Sequence, residues 1–338
     1  MSSRRTVTLK DIAAALGVST MAVSTALNNR GRLSPEMRKR ICETARRMGY
    51  TPNAAARSLV TRSSSFVGVL LPFLQNSFFS NIIAGIEKVA EERNFTLLLE
   101  HPPFDEARME KMLSRLSQHN VDGVILYPDR CLLPVAEWFR EHRIPVVQVM
   151  SSFSEFGEYA VSVDNRQAGA EAAKYLSGLG HQRFGLISHD NEGPELVARR
   201  EGFEHALPDG AVCFRRNAPI SLEGGRSAGR RLLREHPELT AVFSASDLAA
   251  LGVVQAALEL KRRIPEDLSV LGFDDLDVAA YQLVYPLSTM AQPKEQIGEL
   301  AAEMLFSILG GGKPESRVLQ APLIARSTTA STAGEKRK

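Results

Sequence analysis

The stretch TLKDIAAALGVSTMAVSTALNN, residues 8–29, decides the fold of the N-terminal part of the chain. Thr8 and Asp11 have the spacing of a helix-capping pair, and apolar residues follow at helical spacing. Gly17 suits the left-handed position that ends a helix, and Ser19 can cap the next one. The pattern therefore predicts two short helices joined by a turn at Gly17.

A third helix completes this small unit. Ser34, Pro35 and Glu36 form a typical helix start and Gly49 a typical end, so a helix is predicted from Pro35 to Met48. Three such helices form a helix-turn-helix unit, whose second helix enters the major groove of DNA. The outer face of that helix is polar, uncharged and made of small residues, so its N-terminal end could touch base edges. A three-helix core without a DNA partner is the alternative.

Positive charge is concentrated in the first part of the chain. Residues 1–62 contain 12 Lys and Arg against 3 Asp and Glu, a formal charge of +9, whereas the rest of the 338 residues contains 29 basic and 36 acidic residues. A basic segment binds phosphates favourably because counterions are released. The charge pattern therefore favours DNA binding by the first part of the chain.

The segment PNAAARSL, residues 52–59, is predicted to be helical only when it has a partner. Its proline start and alanine-rich body favour a helix, but eight residues are too few to hold one alone in water. Pairing with a second copy and with DNA would supply the missing stabilisation, and an apolar residue inserted at a base step would kink the duplex. A plain linker helix is the alternative, and TRSSS, residues 61–65, has the composition of a flexible joint.

From residue 66 onward, apolar runs alternate with amphipathic stretches. This alternation predicts parallel sheets covered by helices on both faces, with ligands bound beyond the carboxyl ends of the strands. The predicted strands are 66–71, 96–100, 123–127, 145–149, 183–188, 241–245 and 268–273, and the predicted helices include 79–93, 165–180 and 247–261.

Long segments of the chain resemble a known family. VTLKDIAAALGVSTMAVSTALNN (7–29), LSPEMRKRICETARRMGYTPNAAARSLVTRSSSFVGVLLP (33–72), and residues 161–188, 243–275 and 286–309 are similar to LacI/GalR-type bacterial transcription regulators. The resemblance implies an α + α/β fold: a three-helix helix-turn-helix DNA-binding domain (1–50), a hinge helix and linker (51–65), and a two-lobed α/β core like a periplasmic binding protein (66–338). Its N-lobe would comprise about 66–161 and 291–320, its C-lobe about 162–290 and 321–330, and residues 331–338 would form a disordered tail.

The resemblance also implies which residues contact DNA. Leu59 would be the wedge in the minor groove, and Thr25 stands where many relatives have an arginine that contacts guanine, so the operator half-site is expected to differ there. The full set of expected DNA contacts is Thr8, Ser19, Thr20, Met21, Ala22, Ser24, Thr25, Asn28, Asn53, Ala56, Arg57 and Leu59.

The same resemblance implies a small-molecule effector between the core lobes. Its expected contacts are Phe78, Phe79, Met150, Asp164, Arg199, Ile220, Ser246 and Asp274. A guanidinium and a carboxylate that face one another suit a polyhydroxylated ligand, because one donates and the other accepts hydrogen bonds. Met150, Ser246 and Ile220 depart from the usual residues, which indicates a smaller, more apolar or differently charged effector than an ordinary pyranose.

Each cleft residue also has a purely structural interpretation. Asp274 could cap a turn, Arg199 could lie on a solvated helix face, and Phe78 and Phe79 could simply pack in the core. These alternatives stay open at the level of sequence.

The sequence lacks the usual signatures of an enzyme. Ser188, His189 and Asp190 are consecutive and so cannot converge as a catalytic triad, and neither a phosphate-binding loop nor a metal-ligand spacing of His or Cys is present. We therefore expect no catalytic residue, no metal and no cofactor. Without a signal peptide or a run of 18 apolar residues, the chain is expected in the cytoplasm, away from membranes.

The expected function is a homodimeric repressor that binds a pseudo-palindromic operator and is controlled by a sugar or sugar derivative. One alternative is a cytoplasmic sugar-binding protein whose basic segment does not bind specific DNA. Another is a regulator that responds to a phosphorylated partner protein.

Overall fold

The computed structural model describes residues 7–27, 31–50, 63–72, 77–102, 105–189, 193–281 and 284–332. The chain forms two compact units, with the boundary between Ser64 and Ser65. No helix in the described ranges is both long and apolar enough to cross a bilayer.

The first unit contains three helices: α1 (Leu9–Leu16), α2 (Thr20–Leu27) and α3 (Pro35–Arg47). Local signals fix their ends. Thr8 and Asp11 form a reciprocal capping box, and Gly17 has a φ of 67° at the turn between α1 and α2. The buried core consists of Ile12, Ala13, Val23, Ala26, Ile41 and Ala45. The helix-turn-helix prediction is confirmed, with helix ends within one residue of those expected.

The second unit contains two six-stranded sheets. One has the order β11-β5-β4-β3-β1-β2 and the other β12-β10-β9-β8-β6-β7. The first sheet comprises β1 (Phe66–Leu70), β2 (Thr96–Glu100), β3 (Gly123–Leu126), β4 (Val146–Met150), β5 (Ala160–Val163) and β11 (Arg317–Leu319). The second comprises β6 (Arg183–His189), β7 (Val212–Ala218), β8 (Ala241–Ser244), β9 (Ser269–Phe273), β10 (Ser288–Met290) and β12 (Leu323–Ile324).

Helices cover these sheets and define two lobes. The first lobe has α4 (Ser77–Glu92), α5 (Glu106–Gln118), α6 (Ala136–Glu141) and α12 (Lys294–Leu309). The second has α7 (Asn165–Gly178), α8 (Pro194–His205), α9 (Leu222–Glu235), α10 (Asp247–Glu259) and α11 (Asp277–Ala280). The chain passes between the sheets after β5, after β10 and between β11 and β12, so each lobe is assembled from separate segments. The described strand pairs are parallel except β10 with β12, as expected of an α/β core.

Close contact between helices depends on glycines. A Cβ atom at Gly169 of α7 would clash with the carbonyl oxygen of Arg199 in α8, and one at Gly202 of α8 would clash with the carbonyl of Arg166. Without side chains at these points, the two helices pack backbone to backbone. This contact sets the distance between Asn165 at the start of α7 and Arg199.

Candidate functional site

The exposed face of α2 carries most of the expected DNA contacts that the structure describes. Val23 and Ala26 face the core, whereas Thr20 and Met21 are exposed and Met21 is 76% accessible. Ala22, Ser24 and Thr25 are partly exposed beside them. Small side chains on this surface leave the helix backbone accessible, which a helix needs to lie deep in the major groove.

Two of the expected DNA contacts also have a structural task. The Thr8 hydroxyl donates to Asp11 Oδ2 at 2.7 Å, and Ser19 Oγ accepts a hydrogen bond from the Ala22 amide at 3.1 Å. Both residues therefore define helix starts as well as lying on the surface. The remaining expected contacts lie outside the described residues: Asn28, Asn53, Ala56, Arg57 and Leu59.

The third helix of this unit, α3, carries several exposed basic side chains. Lys39, Arg40, Arg46 and Arg47 are exposed on α3, while Arg38 donates a hydrogen bond to the carbonyl of Gly31. Exposed cations at this density can neutralise DNA phosphates on either side of an inserted helix.

In the second unit, Arg199 lies at the centre of a buried polar cluster. It is 3% exposed, and its Nε and Nη2 both donate to Asn165 Oδ1, at 3.2 and 2.8 Å. Nη1 donates to the carbonyl of Ala245, and the guanidinium carbon lies 3.4 Å from the centre of the Phe273 ring. Burial lowers the pKa of Arg199, while the carboxylates of Asp274 and Glu195 favour its charged form. Arg199 is therefore a fixed, buried cation, and the interpretation as a solvated helix face is wrong.

Asp274 follows β9 in an uncommon backbone conformation. Its φ is 121°, and its Oδ1 accepts a hydrogen bond from Gln292 Nε2 at 2.7 Å. Lys294 Nζ holds the turn by donating to the carbonyls of Asp274 and Asp275. Burial raises the pKa of Asp274, and the charge of Arg199 opposes this rise. The carboxylate bonds a crossover residue, so the interpretation as a simple turn cap is not supported.

Tyr127 and Glu195 connect the two lobes. Tyr127 directly follows β3 in the first lobe, and its hydroxyl donates to Oε1 of Glu195 in α8 at 2.5 Å. Burial and the neighbouring carboxylate both raise the pKa of Tyr127, so the phenol stays protonated. This hydrogen bond therefore bridges the space between the lobes. It lies close to Arg199, which follows Glu195 by four residues in α8.

Phe78 and Phe79 begin the first long helix of the core. They are 7% and 8% exposed, and their rings meet edge to face at 5.1 Å. The Phe79 ring also meets the Tyr127 ring at 5.9 Å. Both phenylalanines thus belong to the core, and Phe79 in addition buttresses the tyrosine that reaches the other lobe.

The other expected effector contacts lie at strand or helix ends. Asp164 and Ser246 cap α7 and α10, accepting hydrogen bonds from the amides of Gln167 (2.9 Å) and Ala249 (3.3 Å). Met150 ends β4 with a φ of 73° and is buried. Ile220 follows β7 and is 39% exposed. Their structural roles leave Arg199 and Asp274 as the two expected residues with the polar chemistry of a ligand site.

Sequence reasoning missed several members of this cluster, namely Tyr127, Asn165, Glu195, Asp247, Gln292 and Lys294. Tyr127 was missed because the predicted strand 123–127 included it, whereas β3 ends at Leu126. Glu195 was concealed because it follows Pro194 and so has the sequence of an ordinary helix start. Asp247 is fully buried and accepts hydrogen bonds from Thr289 Oγ1 at 2.7 Å and from the Leu276 amide at 2.8 Å. It fixes the turn that carries Asp274.

A separate open cavity of about 600 Å³ lies elsewhere in the second unit. It is lined by α7, Met290 and residues 320–323. Its charged residues Glu171 and Lys174 pair with each other at 3.0 Å, and neither Arg199 nor Asp274 lines it. The buried cluster is therefore the better candidate for polar recognition.

Comparison with known proteins agrees with this arrangement. Residues 8–53 match the model of bacterial regulatory proteins of the lacI family, and residues 173–329 match a periplasmic binding protein-like domain. The chain is similar to the ribose operon repressor of Haemophilus influenzae, with 31% identity over 316 residues, 92% of this chain and 95% of that protein.

Solved structures show the same architecture. The lac repressor dimer bound to operator and the anti-inducer ONPF covers 97% of this chain and all of that chain, with a TM-score of 0.85 and 23% identity, which shows the shared fold. A LacI family transcriptional regulator from Enterococcus faecium with bound ribose is 28% identical, covers 78% of this chain and 98% of that chain, and has a TM-score of 0.69. With a matching DNA-binding domain and a relative above 30% identity along nine tenths of its length, this chain belongs to the LacI family of bacterial regulatory proteins.

Proposed function

We propose that the protein is a homodimeric transcriptional repressor whose affinity for a pseudo-palindromic operator is set by a sugar-like effector bound between the lobes. The observation that carries the proposal is the buried guanidinium of Arg199, held in one orientation near the Asp274 carboxylate in the same chain as a basic helix-turn-helix unit. A family member of this build has both a DNA surface and a ligand site.

Arg199 has N–H groups that can donate hydrogen bonds to a polyol. The hydrogen bonds from Arg199 to Asn165 and Ala245 engage three of its five N–H groups among the described residues. The two remaining N–H groups form part of a rigid fork that suits vicinal hydroxyls. The bound ribose of the Enterococcus faecium relative makes a pentose or related sugar the first ligand to test.

Coupling between ligand and DNA would arise from movement of the lobes. A ligand that changes the angle between the lobes changes the spacing of the two hinge segments of a dimer, and hence the spacing of the two recognition helices. Because its target is chromosomal DNA, we place the protein in the cytoplasm. We propose binding without catalysis as its activity.

Selection of DNA sites from a random duplex library by the full-length chain at physiological salt tests the proposal. We expect enrichment of a pseudo-palindromic site and a changed affinity for that site when ribose is added. Replacing Met21 by Ala should weaken binding to the selected site while the sugar response persists. A sugar-binding protein of another kind would enrich no symmetric site, and that outcome would refute the repressor function.

A further inference from the structure

Glu195 is a buried carboxylate with half of its hydrogen-bonding capacity unused. The residue is 9% exposed, and Oε1 accepts the hydrogen bond from Tyr127 at 2.5 Å. Oε2 is buried and has no hydrogen-bond partner in the part of the chain that the structure describes. Buried polar groups are nearly always paired, so an unpaired carboxylate oxygen needs an explanation.

The position of this carboxylate depends on its neighbour Gly193. A Cβ atom at Gly193 would lie 2.6 Å from Oε1 and 2.8 Å from Oε2 of Glu195. Only the absence of a side chain there lets the carboxylate fold back over the start of its own helix. The local sequence thus accommodates a carboxylate between the lobes, one helical turn from Arg199.

A second unused acceptor lies in the same cluster. Gln292 is 4% exposed, and its Nε2 donates to Asp274. Its Oε1 is buried and lacks a partner among the described residues. Since Asp274 and Glu195 both act electrostatically on Arg199, the two acceptors belong to the surroundings of one guanidinium. Each of these two acceptors can take a hydrogen bond from a ligand hydroxyl.

The charged side chains around Arg199 also bear on which ligands the cluster can accept. Asp275 is paired with Arg326 at 2.7 Å, and Lys294 is engaged by backbone carbonyls. The acidic side chains that favour the charged form of Arg199 are Asp274 first, then Glu195, with Asp247 contributing least. An anionic group beside Oε2 of Glu195 would lie against this buried carboxylate at short range, where charge repulsion is poorly screened.

We propose that Glu195 determines the specificity of the effector site: it requires a ligand without negative charge that donates a hydroxyl hydrogen bond to Oε2, and it excludes phosphorylated sugars and sugar acids. This inference rests on the proposed function, because it concerns the same cleft. Sites built around a buried polar group discriminate strongly against ligands that leave it unpaired, and we expect at least about 100-fold weaker binding of the anions.

Calorimetric titration of the full-length chain, without DNA, tests the inference. The probes are neutral pentoses and hexoses, each beside its phosphate ester and its aldonic acid. We expect at least one neutral sugar to bind and its two anionic counterparts to bind at least about 100-fold more weakly. Binding of an anionic sugar as tight as that of its neutral counterpart, or binding of no neutral sugar in the panel, would overturn the inference.

Three variants test whether Glu195 causes the discrimination against anionic sugars. Glu195→Gln keeps the size of the side chain and removes its charge, so discrimination against anions should fall at least tenfold. Glu204→Gln makes the same change on the same helix, at a partly exposed carboxylate paired with Arg200 and Arg215, and should leave discrimination intact. Tyr127→Phe keeps the Glu195 carboxylate, so anions should still be rejected. Discrimination that survives in Glu195→Gln, with native circular dichroism, would contradict the assignment.

The two proposals can fail separately. If a palindrome is enriched but an anionic sugar binds, only the specificity inference is wrong. If sugars are discriminated as expected but no symmetric DNA site is enriched, the repressor function is wrong and the assignment of Glu195 stands.

Discussion

Replacing Gly169 by Ala should destabilise the core and loosen the proposed ligand site together. A Cβ atom at this position would collide with the carbonyl oxygen of Arg199 and lie 2.9 Å from the amide nitrogen of Phe203. Because these are backbone atoms of a packed helix, the clash is relieved only if α7 and α8 move apart by roughly 1 Å.

The magnitude follows from two opposing effects. Overpacking of this kind costs about 3 kcal/mol at the upper end of its usual range, and the better helix propensity of alanine returns about 1 kcal/mol. The net loss of about 2 kcal/mol should lower the midpoint of thermal unfolding by about 4 °C for a unit of this size. Separation of the helices also lengthens the bond of 3.2 Å from Arg199 Nε to Asn165, so sugar affinity should fall about tenfold.

Gly178→Ala is the matched control. Gly178 is the last residue of the same helix, and a Cβ atom there would meet nothing within 4 Å. This variant should keep or slightly raise the unfolding midpoint and leave sugar binding unchanged. Thermal unfolding followed by circular dichroism, with calorimetry for sugar binding, compares the two. If Gly169→Ala unfolds at or above the temperature of Gly178→Ala, the close-contact argument is refuted.

Three further predictions address the DNA unit and the buried acids. Thr8→Ala removes the capping box and should destabilise the first unit by about 1 kcal/mol in denaturant titration; an unchanged midpoint would contradict the role of the cap. Met21→Ala should leave the unfolding midpoint unchanged, because the side chain is exposed, but weaken operator binding about tenfold in fluorescence anisotropy. Burial and the charge of Asp274 raise the pKa of Asp247, so the folded state holds a proton that the unfolded state releases, and the stability this provides is lost as pH rises through the folded pKa. The free energy of unfolding of the wild type, relative to that of Asp247→Asn, should therefore decline between about pH 4 and pH 8, and a constant difference would exclude the effect.

The helix-turn-helix unit was predictable because its signals are local. Thr8 bonds Asp11 three residues away, Ser19 bonds Ala22, and Gly17 needs only its own backbone freedom. Such interactions are complete within one helical turn, so a short stretch of sequence contains both partners.

Strand prediction was less complete, for a physical reason. The seven predicted strands are present with ends within one residue, but the other five described strands were missed: β5, β7, β10, β11 and β12. The longest of these is β7, Val212–Ala218. Most of its residues are partly or fully exposed, and it pairs with β6. The hydrogen bonds that make it a strand come from β6, and the apolar pattern of β7 itself does not predict a strand. The same holds for β11 at the edge of the first sheet, whose residues 317 and 318 are exposed.

For the cleft between the lobes, the sequence indicated where polar residues lie better than what each of them does. The expected effector contacts include Asp274, which lies in the buried cluster, and Asp164 and Ser246, whose oxygens cap helices. Carboxylates and hydroxyls serve both purposes, and sequence alone does not distinguish them. The hydrogen bond between Tyr127 and Glu195 joins residues 68 positions apart on different lobes, and only the assembled fold brings them together.

Under the proposed function, one side chain, Glu195, would take part both in ligand recognition and in movement of the lobes. Arg199 is held by Asn165, by a backbone carbonyl and by Phe273, all in the second lobe, so its orientation does not depend on the first lobe. Glu195, one turn earlier on the same helix, instead takes its hydrogen bond from Tyr127 in the first lobe. A ligand that donates to Glu195, as we propose, would therefore act where the lobes meet, and its affinity would depend on the distance of Tyr127 from Glu195. That difference in affinity between two lobe arrangements is what a ligand needs in order to shift one towards the other.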